Sequence, residues 1–224
     1  PVNTVPGSVA VTEDVTTAFT GISIADVDAA SGSMLVTLSV GAGSLAATSG
    51  GGVTVGGTAS ALTLAGTVTD INAFIAASNV AYTTAADANG SVTLAVLTSD
   101  QGNTGSGGAL TDSDTVTLNI TAVNDAPVLS TGSTLAYTEN QAATAINTAI
   151  TISDVDNNTL ASATVQITGN YQSAEDVLAF TNVGMGNIAG VWNSGTGTVT
   201  LSSAGATATV AVWQAALRAV TYAN

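Results

Sequence analysis

The alternation that decides the fold is clearest in the stretch TVTLNIT, which spans Thr115–Thr121. Its apolar residues Val116, Leu118 and Ile120 occupy every second position, and threonine or asparagine lies between them. A period of two residues is typical of a half-buried antiparallel β-strand, with one face in a core and the other in water. The same period predicts further strands, among them Ser8–Thr12, Phe19–Ile24, Met34–Val40 and Ser91–Leu97.

Helical spacing interrupts the strand pattern once in each half of the chain. In the first half, Ile71, Phe74 and Ile75 recur at the spacing of one helix face. The corresponding residues of the second half are Val212, Trp213, Ala216 and Leu217. Stretches rich in glycine, at residues 41–57 and 102–108, are typical of turns. The pattern as a whole predicts an all-β fold of β-sandwich modules with Greek-key-like connections, each carrying one short helix.

An internal repeat relates the two halves of the chain. The stretch ISIADVD at Ile22–Asp28 recurs as ITISDVD at Ile150–Asp156. Further along, VAY at Val80–Tyr82 recurs as VTY at Val220–Tyr222, and the order of the matching segments is kept. Self-similarity of this kind predicts a tandem array of modules.

The repeat also predicts where the modules begin and end. Residues 1–126 read as a complete module, and residues 127–224 read as a second module of the same type. Nothing in the second half matches residues 83–126, so we expect this module to be incomplete at its C-terminal side. Because the chain starts at Pro1 and has no signal peptide, we expect it to be part of a longer protein.

Composition excludes several kinds of chemistry. The 224 residues include one Lys or Arg, 15 Asp or Glu, and no His or Cys, which gives a formal charge of −14. Thiol nucleophiles, zinc–thiolate sites and Ser–His triads are therefore excluded, and we expect no enzyme. A chain with one basic residue is a poor partner for nucleic acid. No stretch is apolar enough to predict membrane insertion.

Strand direction predicts that the acidic residues gather at the two ends of each module. Crowded carboxylates repel one another unless a cation neutralises them, and an oxygen-only ligand set suits Ca²⁺. An Asp-x-Asp pair in an extended segment would point two carboxylates the same way. The alternative is that aspartate and asparagine merely favour turns and are solvated there.

Several motifs resemble those of bacterial cadherin-like and Ig-like tandem repeats, which form the extender regions of large RTX-type or biofilm adhesins. The resemblance covers nearly the whole chain. The motifs are TAVNDAP at Thr121–Pro127, the two Asp-Val-Asp segments, DANG at Asp87–Gly90 and AALRAVTY at Ala215–Tyr222.

The resemblance implies Ig-like or cadherin-like sandwiches with Ca²⁺ bound between modules. The positions that would share the inter-module ion are Glu13, Asp87, Asn89, Asn124, Asp125, Asp154 and Asp156. At the N-terminal pole, Asp26, Asp28 and Asp100 would face a preceding module. Ala122 and Ala126 stand where cadherin linkers carry an acid and an amide, so we expect fewer or weaker ions than in cadherins.

The function expected from these observations is that of a structural calcium-binding repeat of a long extracellular adhesin or surface filament. Its expected location is extracellular or on the bacterial cell surface, and its expected partners are the neighbouring modules of the same chain. The open alternatives are a carbohydrate- or ligand-binding adhesin module, a filament subunit assembled from like chains by strand complementation, and a threonine array that binds ice.

Overall fold

The computed structural model describes residues 1–102, 107–130 and 132–224, and its secondary structure is mostly β. Part of the turn expected at residues 102–108 lies outside the described residues. Contacts divide the chain into two compact units, here called unit 1 (Pro1–Val123) and unit 2 (Asn124–Asn224). The module boundaries expected from the repeat, 1–126 and 127–224, stay a prediction.

Unit 1 consists of strands and one α-helix in its described residues. Its strands are β1 (Val2–Thr4), β2 (Ser8–Thr12), β3 (Thr17–Ala18), β4 (Ser23–Ala25), β5 (Met34–Val40), β6 (Ser44–Ala47), β7 (Thr54–Thr58), β8 (Ala61–Gly66), β9 (Val80–Thr83), β10 (Gly90–Ser99) and β11 (Thr111–Thr121), and its helix is α1 (Val68–Ala76).

The strands of unit 1 form a six-stranded sheet in the order β2-β11-β10-β5-β8-β7 and a three-stranded sheet in the order β3-β9-β6, while β1 pairs with β4. One hydrophobic core joins the inward residues of both larger sheets, including Leu118 of β11 and Tyr82 of β9. The predicted alternation is therefore confirmed, because it supplies one apolar face to a shared core.

Three features of unit 1 differ from the expectation. The pair β2–β11 is parallel, because both strands run toward the same end of the unit. The predicted strand Phe19–Ile24 is replaced by β3 and β4, which belong to different sheets on either side of Gly21 at φ +79. The glycine-rich stretch 41–57 contains β6 and much of β7, because pairing with β9 and β8 overrides the low strand propensity of glycine.

Unit 2 repeats part of this arrangement. Its strands are β12 (Val128–Leu129), β13 (Thr144–Ala145), β14 (Ile152–Ser153), β15 (Ser162–Gln166), β16 (Val177–Ala179), β17 (Ile188–Asn193), β18 (Thr198–Ser203) and β19 (Thr221–Ala223), its α-helix is α2 (Val210–Arg218), and a 3₁₀ turn spans Ala204–Ala206. The sheets have the orders β12-β14, β13-β19-β16 and β15-β18-β17.

The helix predicted in each half is confirmed. Threonine caps both N-termini: Thr67 accepts a hydrogen bond from the Asp70 amide, and Thr209 accepts one from the Val212 amide. Trp213 anchors α2, since its side chain is fully buried and its Nε1 donates to the Leu160 carbonyl at 2.8 Å. Neither helix in the described part of the chain is long and apolar enough to cross a bilayer.

A core substitution in β11 tests whether the two units unfold independently. Leu118 is 0% exposed, so we expect Leu118→Ala to destabilise unit 1 by about 2–5 kcal/mol. Both tryptophans lie in unit 2, so tryptophan fluorescence reports its unfolding and far-UV circular dichroism reports both units. The variant should lower the midpoint of one dichroism transition and leave the midpoint of the fluorescence transition unchanged.

The exposed neighbour provides the control, because Thr117→Ala removes a side chain from the solvent face of the same strand. An equal shift of both transitions in Leu118→Ala would contradict independent units.

Candidate metal centre

Glu13 is a buried carboxylate at the end of β2. It continues the inward-facing row of Val9 and Val11, and it is 1% exposed. The parallel pairing extends past β2, since the Glu13 amide donates to the Thr121 carbonyl at 3.0 Å. The side chain is held by one hydrogen bond, in which the Val123 amide donates to Oε2 at 3.1 Å. The other oxygen, Oε1, is buried and accepts no hydrogen bond from any residue that the structure describes.

Glu13 belongs to a triad of carboxylates. One carboxylate oxygen from each of Glu13, Asp87 and Asp125 lies within 4.8 Å of the other two. Asp87 lies in the turn between β9 and β10 with φ +56, and Asp125 follows β11. Oxygens that share one Ca²⁺ at about 2.3–2.6 Å are at most about 5 Å apart, so the spacing of the triad fits a shared cation.

The sequence supplies a single basic side chain that could offset the charge of these carboxylates. Arg218 is the only basic residue, and its Nε donates to the Ile150 carbonyl within unit 2 at 2.8 Å. Burying an ionised carboxylate with an unpaired oxygen is costly unless a cation or a donor compensates it. The triad could therefore hold a metal ion.

The loop after β14 in unit 2 is a second cluster of carboxylate and amide groups. Asp154 Oδ1 accepts hydrogen bonds from the amides of Asp156 at 3.1 Å and Asn157 at 2.7 Å. The second oxygen, Oδ2, is buried and has no hydrogen-bond donor among the described residues. Asp156 Oδ2 in turn accepts from the Asp125 amide at 2.7 Å, which joins this loop to the beginning of unit 2.

The expectation of extended Asp-x-Asp segments is wrong. In both repeats the first aspartate closes a turn, because its Oδ1 accepts from the amides two and three residues further on. In unit 1 these bonds join Asp26 to Asp28 at 3.2 Å and to Ala29 at 3.0 Å. Aspartate commonly forms this kind of side-chain turn, in which the backbone bends instead of continuing extended.

At the other end of unit 1, the predicted pole residue Asp26 lies beside the first residue of the sequence. The Pro1 amine is 2.9 Å from Asp26 Oδ2. This hydrogen bond, followed by the one with Asp28, lowers the pKa of Asp26 to about 2. The hydrogen bond with Asp26 raises the pKa of Asp28. Asp100 Oδ1 instead accepts from the amides of Gly102 and Leu110, so it closes the loop between β10 and β11.

The predicted ligand set is only partly brought together. Three of its members form the triad, and among the described residues Asp26, Asp28 and Asp100 form no comparable group. Asn89 is exposed, and Asn124 Oδ1 accepts from the Asn157 side chain at 2.7 Å. The roles of all ten residues as ligands stay predictions.

Sequence reasoning missed Asn157, which binds both Asp154 and Asn124. Its position directly after the Asp-Val-Asp segment is the signal that could have revealed it.

A separate carboxylate in unit 2 is fully satisfied by protein donors. Asp176 Oδ1 accepts from the Tyr222 hydroxyl at 2.5 Å and from the Asn224 side chain at 3.0 Å. The hydrogen bond from Tyr222, together with those from Gln172 and Asn224, lowers the pKa of Asp176. The same bond raises the pKa of Tyr222 to about 12. Asp176 is therefore a structural anchor of β19 rather than a metal ligand.

Comparison of the chain with models of known protein families and with curated proteins finds no match. The resemblance to cadherin-like adhesin repeats therefore stays a prediction that rests on the motifs of the sequence.

Replacement of Asp154 tests how much the loop after β14 stabilises unit 2 in the absence of metal. Asp154→Ala removes the acceptor of two amide hydrogen bonds, so we expect unit 2 to lose about 1–3 kcal/mol in the presence of a chelator. Asp154→Asn keeps the Oδ1 acceptor and should lose much less. Urea unfolding followed by tryptophan fluorescence measures both, and equal losses would contradict the turn as the stabilising feature.

The Asp176–Tyr222 bond predicts how the stability of unit 2 depends on pH. The folded pKa of Asp176 is depressed, so its contribution is present above the ordinary pKa of 3.8 and is lost as pH falls through the folded value. We expect Tyr222→Phe to shift acid unfolding to higher pH, because the carboxylate loses its main donor. The folded pKa of Tyr222 is raised, so the native protein should also lose stability between pH 10 and about 12.

Acid titration monitored by tryptophan fluorescence measures the first shift. Tyr171→Phe is the control, because its hydroxyl donates to the Ser194 carbonyl elsewhere in unit 2. The same acid midpoint in Tyr222→Phe and in the unaltered protein would show that the Asp176–Tyr222 bond contributes nothing to the acid stability of unit 2.

Proposed function

We propose that the chain is a structural repeat that binds Ca²⁺ next to the segment joining its two units, and that the ion stiffens this segment in a long extracellular adhesin or surface filament. The proposal is supported above all by the buried Oε1 of Glu13, which belongs to a triad of carboxylates and accepts no hydrogen bond within the described part of the chain. A bound cation would satisfy this oxygen and neutralise the triad.

The chemistry of the ligands favours calcium over other metals. The chain has no His or Cys, so a bound metal finds no imidazole or thiolate ligand. Zinc and copper prefer nitrogen or sulfur, and Mg²⁺ retains most of its water and demands a near-octahedral site. A triad built from a strand end, a turn and a connecting segment suits the larger and more adaptable Ca²⁺.

The mechanical effect follows from the position of the ligands along the chain. Glu13 ends β2, Asp87 lies between β9 and β10, and Asp125 lies in the segment that follows β11. An ion bound to all three would restrict this segment and so reduce the hinge freedom of the chain. The loop of Asp154 and Asp156 would support the same segment, because Asp156 accepts from the Asp125 amide.

An extracellular location is consistent with this chemistry. Three carboxylates with few further charged ligands suggest a dissociation constant of roughly 10⁻⁴–10⁻³ M, the range of extracellular calcium modules. Such a site would be filled outside a cell and largely empty in a cytosol.

We also propose that both units are Ig-like or cadherin-like β-sandwiches, so that the chain would be a tandem array of one module type. In support, two sheets of unit 1 share one core, and the strand pairs β3–β9 and β5–β8 have counterparts in β13–β19 and β15–β18. Neighbouring modules would then be the main partners.

Calcium titration of the chelated protein tests the proposal. We expect Ca²⁺ to raise the melting temperature of unit 1 and to increase the maximum dimension measured by small-angle X-ray scattering. Glu13→Gln should lose most of both responses. In chelator it should melt at or above the temperature of the unaltered protein, because one of three repelling charges has been removed.

Asp14→Asn provides the matched control. Asp14 is the exposed neighbour of Glu13, lies outside the triad and has φ +58, which asparagine tolerates. The control should keep the calcium response of the unaltered protein. The same calcium response in Glu13→Gln and in the control would exclude the triad as the calcium site.

A further inference from the structure

Unit 2 contains an apolar groove that the calcium proposal does not use. The groove has a volume of about 430 Å³ and runs beside β15. The side chains that matter for its shape are Leu135, Tyr137, Ile146, Val165, Leu178 and Tyr222.

Comparison with unit 1 shows that the groove occupies the place of a core. The register of β15–β18 matches that of β5–β8 when Leu201 is superposed on Leu64. Ala163 and Val165 then correspond to Val36 and Leu38, which are 0% and 1% exposed. Ala163 and Val165 themselves are only half-buried.

The opposite wall of the groove shows the same difference. Thr144 pairs with Tyr222 as Thr17 pairs with Tyr82, so Tyr222 corresponds to Tyr82 and Ile146 to Phe19. Phe19 and Tyr82 are fully buried and stack on each other. Their counterparts in unit 2 are half-buried.

In unit 1 a β-hairpin covers these positions. β10 pairs with the edge of β5 that β8 leaves open, with Leu38 opposite Val96, and β11 pairs with β10. The inward side chains Leu94, Val96, Val116 and Leu118 of this hairpin are all 0% exposed. In the described part of unit 2, β15 pairs with β18 alone, so its other edge offers unpaired amides and carbonyls beside the apolar groove.

We propose that the groove of unit 2 is a docking site for a two-stranded β-hairpin from outside residues 1–224. The hairpin would pair antiparallel with the free edge of β15 and place apolar residues at alternate positions over Val165, Ile146 and Tyr222. Backbone pairing would give affinity, and the apolar row would give specificity. The proposal goes beyond calcium binding and does not depend on it.

Two observations favour a hairpin over other occupants. The groove lies along an unpaired strand edge, which a small molecule would leave without hydrogen bonds. A second copy of this chain has its matching hairpin, β10 and β11, already paired with β5 and β2 of its own unit 1.

A synthetic peptide with the sequence of residues 90–121 is the probe for this site. We expect it to bind the chain, to raise the melting temperature seen by tryptophan fluorescence, and to slow amide hydrogen exchange across Ser162–Gln166. A control peptide with serine replacing Leu94, Val96, Val116 and Leu118 should do none of these, because it retains the backbone but not the apolar row.

A variant of the groove keeps the test independent of folding. Because Val165 is half-buried in the free chain, Val165→Ser should change the melting temperature little but weaken peptide binding at least about tenfold. Equal affinity for both peptides, or undiminished binding to Val165→Ser, would overturn the proposal. Protection, without peptide, of the β15 amides that do not pair with β18 would also overturn it, and if light scattering then shows a dimer, the groove belongs to a second copy.

Discussion

The constraint on which the structure depends is that rows of inward-facing side chains continue past the apolar core and end in carboxylates. Val9 and Val11 lead to Glu13, and Val96 and Thr98 lead to Asp100, each with the two-residue period of its strand. Most such ends are satisfied by backbone amides, as at Asp100, or by side-chain donors, as at Asp176. Glu13 is different, because it is buried and one of its oxygens accepts no hydrogen bond from residues 1–102, 107–130 or 132–224. Because the chain has a single basic residue, a bound ion or water could compensate this oxygen where side chains do not.

The strands, the helices and the repeat were predictable because each depends on local periodicity. The alternation in Thr115–Thr121 predicted one face of β11, and the spacing of Ile71, Phe74 and Ile75 predicted the buried face of α1. The parallel pairing of β2 with β11 was not predictable, since the residues of both strands alternate as antiparallel ones do. The strands within residues 41–57 were missed because distant pairing, rather than local propensity, holds glycine-rich segments extended.

The candidate site was predictable to the extent that it lies at strand ends. Glu13 follows β2 directly, so its position at one end of unit 1 followed from strand direction. Which carboxylates meet there depends on the turn that gives Asp87 its positive φ and on the path of the chain after β11, and neither has a sequence period. The Asp-Val-Asp segments were misread for a related reason, because side-chain bonds such as that of Asp154 Oδ1 to the Asn157 amide replace extended backbone.

The two units show how similar sequence patterns can reach different degrees of burial. Tyr82 and Tyr222 hold equivalent positions beside β3 and β13, yet only Tyr82 is fully buried, because burial is set by the strands that cover a position. Calcium binding at Glu13 is tested most directly by an anomalous difference map of crystals grown in millimolar Ca²⁺. We expect a peak at about 2.3–2.6 Å from Glu13 Oε1. A map without a peak there, with Oε1 hydrogen-bonded to water instead, would contradict it.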